Sequence, residues 1–475
     1  AKVFALGQMT STLSTHWEYF ERVYLIPDQG KFYSIFPPGH ALVMAVGVKL
    51  GMTPYVVPFL SCVIVLLVFQ LARMVFSLYV ARLSVLFLAL SPFFIFMGGG
   101  FMNHPTCLFF LLWALIFWLW ALRPEKNGRT VFFAIMAGLA YGMAFLTRPQ
   151  TSIAFLPLFV LWMGRERGWR PVPSILLCAV LFGLGSTPPA LFWLAYNQAT
   201  TGSAWVIGYQ KNFRGVPLGL GQQNWEGRRT GVDQDRVVHH TPLRGFSNFL
   251  CNLNGLNFFL FGWPVPSLLF AFALFLPGLQ RGFAERLFVL LILLVGGIYF
   301  FFFYQDFCFG PRFFYETTPF WIFLSARGLE EGFAWIQSRW PDRMDRVYAW
   351  GYGLLGAFFL FAFASVWVER VVVMSDSYWG TSSTVLHWAR QRIPETDALI
   401  FVQTEEDQMG LYSVLDPRFD RGWIIAKHYS LEEDQKLMRE YPGWPAYRIR
   451  YDNPLPPQPA GNVLEKIPPQ VSVSE

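Results

Sequence analysis

The ionisable side chains that could do chemistry in this chain gather at the ends of apolar runs. Asp306, Arg312 and Glu316 bracket the segment Asp306-Phe-Cys-Phe-Gly-Pro-Arg-Phe-Phe-Tyr-Glu316. Arg148 sits in Thr147-Arg148-Pro149, His104 in Asn103-His104-Pro105, and His40 directly after Pro37-Pro38-Gly39. Charged groups at membrane depth are costly, so each is a functional candidate by default. An arginine fork can hold an anion through parallel hydrogen bonds and keeps its proton. A carboxylate can take a proton or orient such a fork. Gly310 and Pro311 hold the residues before Arg312 in an ordered turn. The competing readings are an arginine that snorkels to headgroups and a histidine that only caps a helix. No histidine or cysteine shows metal-ligand spacing, and His239-His240 reads as a solvated loop pair rather than a metal site. Cys62, Cys107 and Cys178 read as small core residues, while Cys251 and Cys308 fall in loops on one side, where a bridge is conceivable.

The elements that position these groups must be membrane spans. The 475 residues are 54% hydrophobic, 19% aromatic and 14% charged, against about a quarter charged for a soluble protein. Apolar runs recur at 54–76, 83–97, 106–122, 130–146, 152–163, 173–196, 265–279, 287–304, 313–336 and 348–368, which predicts about ten spans. Alternate loops carry arginine and lysine: Arg73 and Arg82, Arg123 to Arg129, Arg165 to Arg170, Arg281 and Arg286, and Arg339 to Arg346. The positive-inside rule puts these in the cytoplasm and the other loops outside it. The exoplasmic set then comprises 1–53, the turns at His104 and Arg148, the long loop 197–264, the turn 304–315 and everything after Glu369. Within the long loop, Phe246 to Phe261 is expected as a helix lying flat in the interface.

The net charge of +6 splits at Val372 into about +11 before it and about −5 after it, so the high pI is a loop property and not a nucleic-acid signature. The membrane domain is expected over 1–371. Residues 372–475 read as a small soluble α/β domain, with a helix at Ser383 to Ile393 and strands at Ala398 to Val402, Gly422 to Lys427 and Ala446 to Tyr451. An amphipathic helix is expected at Leu431 to Tyr441, and a Pro-rich extended tail at Asn453 to Gly461.

Four motifs resemble the GT-C superfamily of polytopic glycosyltransferases, in particular the protein O-mannosyltransferases and the lipid A aminoarabinose transferases. They are Tyr33-Ser-Ile-Phe-Pro-Pro-Gly-His40, Ala89-Leu-Ser-Pro92, Gly138-Leu-Ala-Tyr-Gly-Met-Ala-Phe-Leu-Thr-Arg148-Pro149, and Gly310-Pro-Arg-Phe-Phe-Tyr-Glu316 with Ser325-Ala-Arg-Gly328. The resemblance implies an acidic pair at the exoplasmic end of a first transmembrane helix. This chain starts after the matching point, with Ala1 to Gly7 as the juxtamembrane helix that follows, and Glu18, Glu21 and Asp28 are not at the matching place.

The resemblance further implies transfer of a sugar from a polyprenyl-phosphate donor to a lipid, protein or glycan acceptor on the exoplasmic face of a bacterial inner membrane. Arg312 and Arg148 are then the expected donor-phosphate ligands. Glu316 and Asp306 are the candidate catalytic carboxylates, and His40, His104, Tyr315 and His240 are expected along the cavity. No cofactor is required by any motif, a divalent metal stays open, and membrane lipids are the surrounding partners. The rival class is a transporter or lipid flippase, which predicts an internal repeat and polar groups near the midplane of several spans; neither is visible in the sequence.

Overall fold

Long apolar stretches without period-two alternation can satisfy their backbone inside a membrane only as helices, and that is how they fold. A computed structural model describes residues 1–12, 16–20, 25–28, 30–123, 129–167, 173–212, 218–224, 237–279, 281–305, 307–375, 384–402, 415–451 and 462–468. Asp306, much of the polar part of the long loop and the Pro-rich tail at 453–461 lie outside the described residues. The chain divides into two compact units, one of Phe36–Val366 with Ala1 and Val3–Ala5, the other of Leu6–Ile35 and Trp367–Glu475 with Lys2.

The first unit is a helical bundle. Among the described residues six helices are long and apolar enough to cross a membrane: Thr53–Val75, Asn103–Leu122, Arg129–Thr147, Ile175–Thr201, Phe283–Phe300 and Pro341–Ser375. A seventh span results if the bent pair Leu78–Ala89 and Pro92–Gly98 counts as one crossing. The bend has a local cause. Ser91 caps the second helix by accepting from Phe94 N, and Pro92 at its first turn cannot continue the preceding helix. The predicted runs at 152–163 and 313–336 also fold as helices, Pro149–Arg167 and Thr318–Arg339. The first carries Arg165, Glu166 and Arg167 at its end; the second carries Arg327, Glu330, Glu331 and Arg339 within it. The run at 265–279 holds only the short helix Leu269–Ala273. After Ala273 the chain tightens into i→i+3 turns, with Phe275 N bonding Phe272 O and Leu276 N bonding Ala273 O, before Gly278 at φ 87° ends the stretch.

The glycines of the Gly138 motif act in packing. A Cβ at Gly138 would lie 1.9 Å from Phe182 O, and one at Gly185 would lie 2.0 Å from Ile135 O, so the helices Arg129–Thr147 and Pro173–Thr201 approach backbone to backbone. That crossing fixes the helix that ends beside Arg148. Pro149 has no N–H to continue it, and the chain doubles back. Tyr141 donates to Ser152 O at 3.1 Å and its ring lies 5.5 Å from that of Phe159, the pattern of a helical hairpin. The long loop contributes the hairpin Gly221–Asn224 with Val237–His240 and the helix Pro242–Phe259. Thr241 caps that helix by accepting from Arg244 N at 3.2 Å. It exposes Leu243, Phe246, Leu250 and Phe258.

The second unit has a four-stranded sheet in the order Trp423–Lys427, Ala398–Val402, Ala446–Tyr451, Asn462–Ile467. The first three strands are parallel and the last is antiparallel. One face packs under Val385, Trp388 and Ile393. The other packs against Leu437 and against Tyr19, Phe20 and Phe32 of the N-terminal segment. Alternation along Ala398–Val402 divides the faces, with Ile400 and Val402 on one and Leu399 and Phe401 on the other. The N-terminal segment itself forms a three-stranded antiparallel sheet of Ser11–Thr12, Lys31–Ser34 and Leu25–Asp28.

Candidate active site

The polar motifs meet at one end of the helical bundle, where Asn103–Leu122 and Pro149–Arg167 begin and Arg129–Thr147 and Phe283–Phe300 end. Glu316 is the buried centre, with zero exposure. It sits in the 3-10 helix Arg312–Thr317, which follows a turn that only unusual backbone can make: Phe309 has φ 60° and Gly310 has φ 130°. A side chain at Gly310 would also strike the ring of Phe93, 2.7 Å away. Gly310 is therefore required both for its backbone and for its lack of a Cβ.

Arg148 Nε lies 2.9 Å from Glu316 Oε1, an ion pair by distance rather than an aligned hydrogen bond. His104 Nδ1 lies 3.2 Å from the same oxygen and 3.3 Å from Oε2. On the other side of the imidazole, His104 Nε2 lies 3.2 Å from Arg148 Nη1. A guanidinium can only donate, so Nε2 accepts and the His104 proton resides on Nδ1, where it donates to Glu316. Arg148 Nη1 also donates to Asn103 Oδ1 at 3.1 Å, and Nη2 donates to the Tyr299 hydroxyl at 2.6 Å. Thr151 Oγ1 lies 2.7 Å from that hydroxyl. The guanidinium is thus held on all three nitrogens, with fully buried Glu316 as its counter-ion.

Of the residues picked from the sequence, the structure brings Glu316, Arg148 and His104 into one network. His40 is adjacent through the same helix: its Nε2 donates to Phe101 O at 3.0 Å and its Nδ1 accepts from Thr106 Oγ1 at 2.9 Å. It ties Gly39–Leu50 to the start of Asn103–Leu122. Arg312 is partly exposed, with its guanidinium carbon 5.2 Å from the Phe313 ring centre and Nη1 4.0 Å from Met102 Sδ. Tyr315 is fully buried between Phe93, Phe94 and His104. His240 donates from Nε2 to Phe300 O at 2.8 Å, closing the loop hairpin over the end of the Tyr299 helix. Among the described residues no group of three or more His, Cys, Asp or Glu is placed to hold a metal ion. Asn103, Thr151 and Tyr299 were not singled out by type or spacing as ligands of Arg148. A phenol inside an otherwise apolar span was the signal available for Tyr299.

The protein family described as dolichyl-phosphate-mannose-protein mannosyltransferase matches residues 36–193, the stretch that supplies His40, Asn103, His104, Arg148 and Thr151. No curated protein matches the chain in sequence. Among solved structures, ArnT from Cupriavidus metallidurans bound to undecaprenyl phosphate aligns with a TM-score of 0.54 at 13% identity, over 95% of this chain and 86% of that one. The apo form of ArnT gives 0.48 at 12% identity, over 88% and 82%. The apo oligosaccharyltransferase of Archaeoglobus fulgidus gives 0.39 at 12% identity, over 91% and 64%. The chain is a polytopic membrane glycosyltransferase with the GT-C fold.

Proposed function

We propose that the chain transfers a sugar from a polyprenyl-phosphate donor to an acceptor hydroxyl on the exoplasmic face of a bacterial inner membrane. The observation that carries this reading is the buried Glu316–His104–Arg148 set beside the Gly310-Pro311-Arg312 turn, in a fold shared with a protein solved with undecaprenyl phosphate. Charge on the bundle supports the orientation, because the arginine-rich loops lie at the end opposite this site.

In such a transfer the bond from the sugar to the donor phosphate breaks, negative charge grows on the leaving phosphate, and the acceptor oxygen loses its proton as the new bond forms. Arg312 is the group that meets the phosphate: it is partly exposed, and its guanidinium lies near Met102 and the Phe313 ring rather than in an ion pair with Glu316. Arg148, held on every nitrogen by neighbours, positions the site rather than leaving it to bind. Glu316 serves the same end by fixing Arg148 and His104. The group that takes the acceptor proton is then Asp306 or the acidic pair that the resemblance places ahead of Ala1.

The test is transfer of labelled sugar from a polyprenyl-phosphate donor by purified Arg312→Lys and Arg312→Ala proteins, with thermal stability measured alongside. Losing the bidentate fork should lower turnover by roughly 100-fold in Arg312→Ala, the scale of one lost charge-stabilising donor, with little change in melting. Full activity in both variants removes Arg312 from the mechanism.

A further inference from the structure

The opposite end of the bundle carries a second arrangement that the transfer reaction does not use. A pocket of about 360 Å³ is lined by Leu274, Phe275, Arg281, Glu285, Arg286 and Val289. We propose that it binds the headgroup of an anionic phospholipid, with one acyl chain lying along the helix Phe283–Phe300.

Charge supports an anion. Arg281 and Arg286 are both exposed, and Arg286 Nη2 reaches Arg281 O at 3.4 Å, so the two cations share one rim. Arg281 lies over the Phe275 ring at 5.6 Å, which keeps its guanidinium at the pocket wall. A third cation, Arg165, lies 4.7 Å from the ring of Phe283 at the start of the same helix. That helix begins at Gly282, and its own first-turn carboxylate, Glu285, lies against that start, so the rim arginines rather than the helix end supply the positive field. The carboxylate in the pocket is only partly offset: Glu285 Oε1 accepts from Arg327 Nε at 2.9 Å, but Arg327 is shared with Glu330 and Glu331, so the lining of Arg281, Arg286 and Glu285 carries a net charge of about one positive.

Shape and polarity support a lipid rather than a free phosphate. Leu274, Phe275 and Val289 make an apolar wall immediately inside the basic rim. Arg286, Leu290 and Leu293 follow one another at helical spacing, and all three are exposed. One stripe therefore leads from a cation at the rim down an apolar path, the pattern of a headgroup with its chain.

The experiment is native mass spectrometry of the full-length protein released from detergent with cardiolipin, phosphatidylglycerol, phosphatidylcholine or inorganic phosphate added. The wild type should retain cardiolipin or phosphatidylglycerol in preference to phosphatidylcholine. The exposed double variant Arg281→Gln/Arg286→Gln should lose that preference by about thirtyfold, the factor two arginines supply toward anionic lipid. Val289→Trp, which fills the pocket without changing charge, should weaken retention as well. The idea fails if phosphatidylcholine is retained equally, if the double variant binds like wild type, or if inorganic phosphate displaces the lipid. Binding and sugar transfer are read separately, so a failed activity assay leaves this result intact.

Discussion

Two arginines in the helical bundle illustrate two ways of placing charge in a membrane protein. Arg148 has one carboxylate, Glu316, and its other partners are uncharged: His104, Asn103 and Tyr299. Arg327 has three carboxylates, Glu285, Glu330 and Glu331. Glu316 is fully buried, whereas Glu330 and Glu331 keep side-chain exposures of 24% and 19%. Two of the Arg327 partners lie one turn away on its own helix, while the Arg148 set is gathered from four separate segments. The two clusters sit near opposite ends of Phe283–Phe300, about 20 Å apart at the helical rise. Local, water-facing pairs can re-form after a change. A buried pair built from distant segments has no replacement partner, so it specifies the site geometry and costs most when broken.

The sharpest way to break this contrast is Glu316→Ala. It leaves a buried guanidinium without its counter-ion and should destabilise the protein by roughly 3–5 kcal/mol, with sugar transfer abolished. The double variant Glu316→Leu/Arg148→Met should recover most of the melting temperature and none of the activity. A small loss in the single variant would mean that water already reaches the pair. Tyr299→Phe removes one hydrogen bond to the same guanidinium and should cost about 2 kcal/mol. Its signature would be a lowered turnover with a nearly unchanged apparent donor affinity, since the phenol positions Arg148 and Thr151. Arg327→Ala should cost less than Glu316→Ala, about 2 kcal/mol, because Glu330 and Glu331 are partly solvated although Glu285, with 6% side-chain exposure, loses its cross-helix partner. Raising the salt concentration should shrink that difference and leave the Glu316→Ala difference nearly unchanged.

The residues of the buried site were legible one at a time, but their connections were not. Arg148, His104 and Glu316 each stood out as an ionisable group at the end of an apolar run. Nothing in the spacing joins His104 to Glu316, which are 212 residues apart, and Tyr299 is hidden in a run of Leu, Val, Ile and Gly. The packing behind the motifs was equally out of reach, since Gly138 needs the position of Phe182 to explain it. Composition changes at Val372, and the strands from Ala398 to Tyr451 follow from β-branched and aromatic alternation. The compact unit, however, also takes in Leu6–Ile35, because Tyr19, Phe20 and Phe32 cover the sheet face bearing Leu399 and Phe401. Local pattern cannot reveal which distant segment will cover a sheet. The strand Asn462–Ile467 was missed for a related reason: it is recognised by its antiparallel pairing with Ala446–Tyr451 and not by its own local pattern.

The mildest expected effect comes from a third arginine–carboxylate cluster, in the second unit. Asp416 Oδ1 accepts from Arg418 N at 3.0 Å and Nε at 3.2 Å, and Oδ2 accepts from Arg418 Nη2 at 3.2 Å and Arg421 Nε at 2.8 Å. Burial alone would raise the Asp416 pKa, but these hydrogen bonds outweigh it and hold the carboxyl well below the usual carboxylate range. A depressed pKa in the folded state means that the stabilisation is fully present above the ordinary value of about 4 and is lost as pH falls through the folded value. Asp416→Asn should therefore loosen the turn at residues 415–422 slightly at neutral pH, and wild type and variant should converge in strong acid. Hydrogen exchange at the Arg418 amide, which donates to Asp416, compared between wild type and variant at each pH from 7 to the acid limit, measures this directly. A difference that grows on acidification would reverse the sign and remove the ionised carboxylate as the cause. Because the cluster is surface-exposed and sequence-local, neither sugar transfer nor the melting of the helical bundle should change, in contrast to Glu316→Ala.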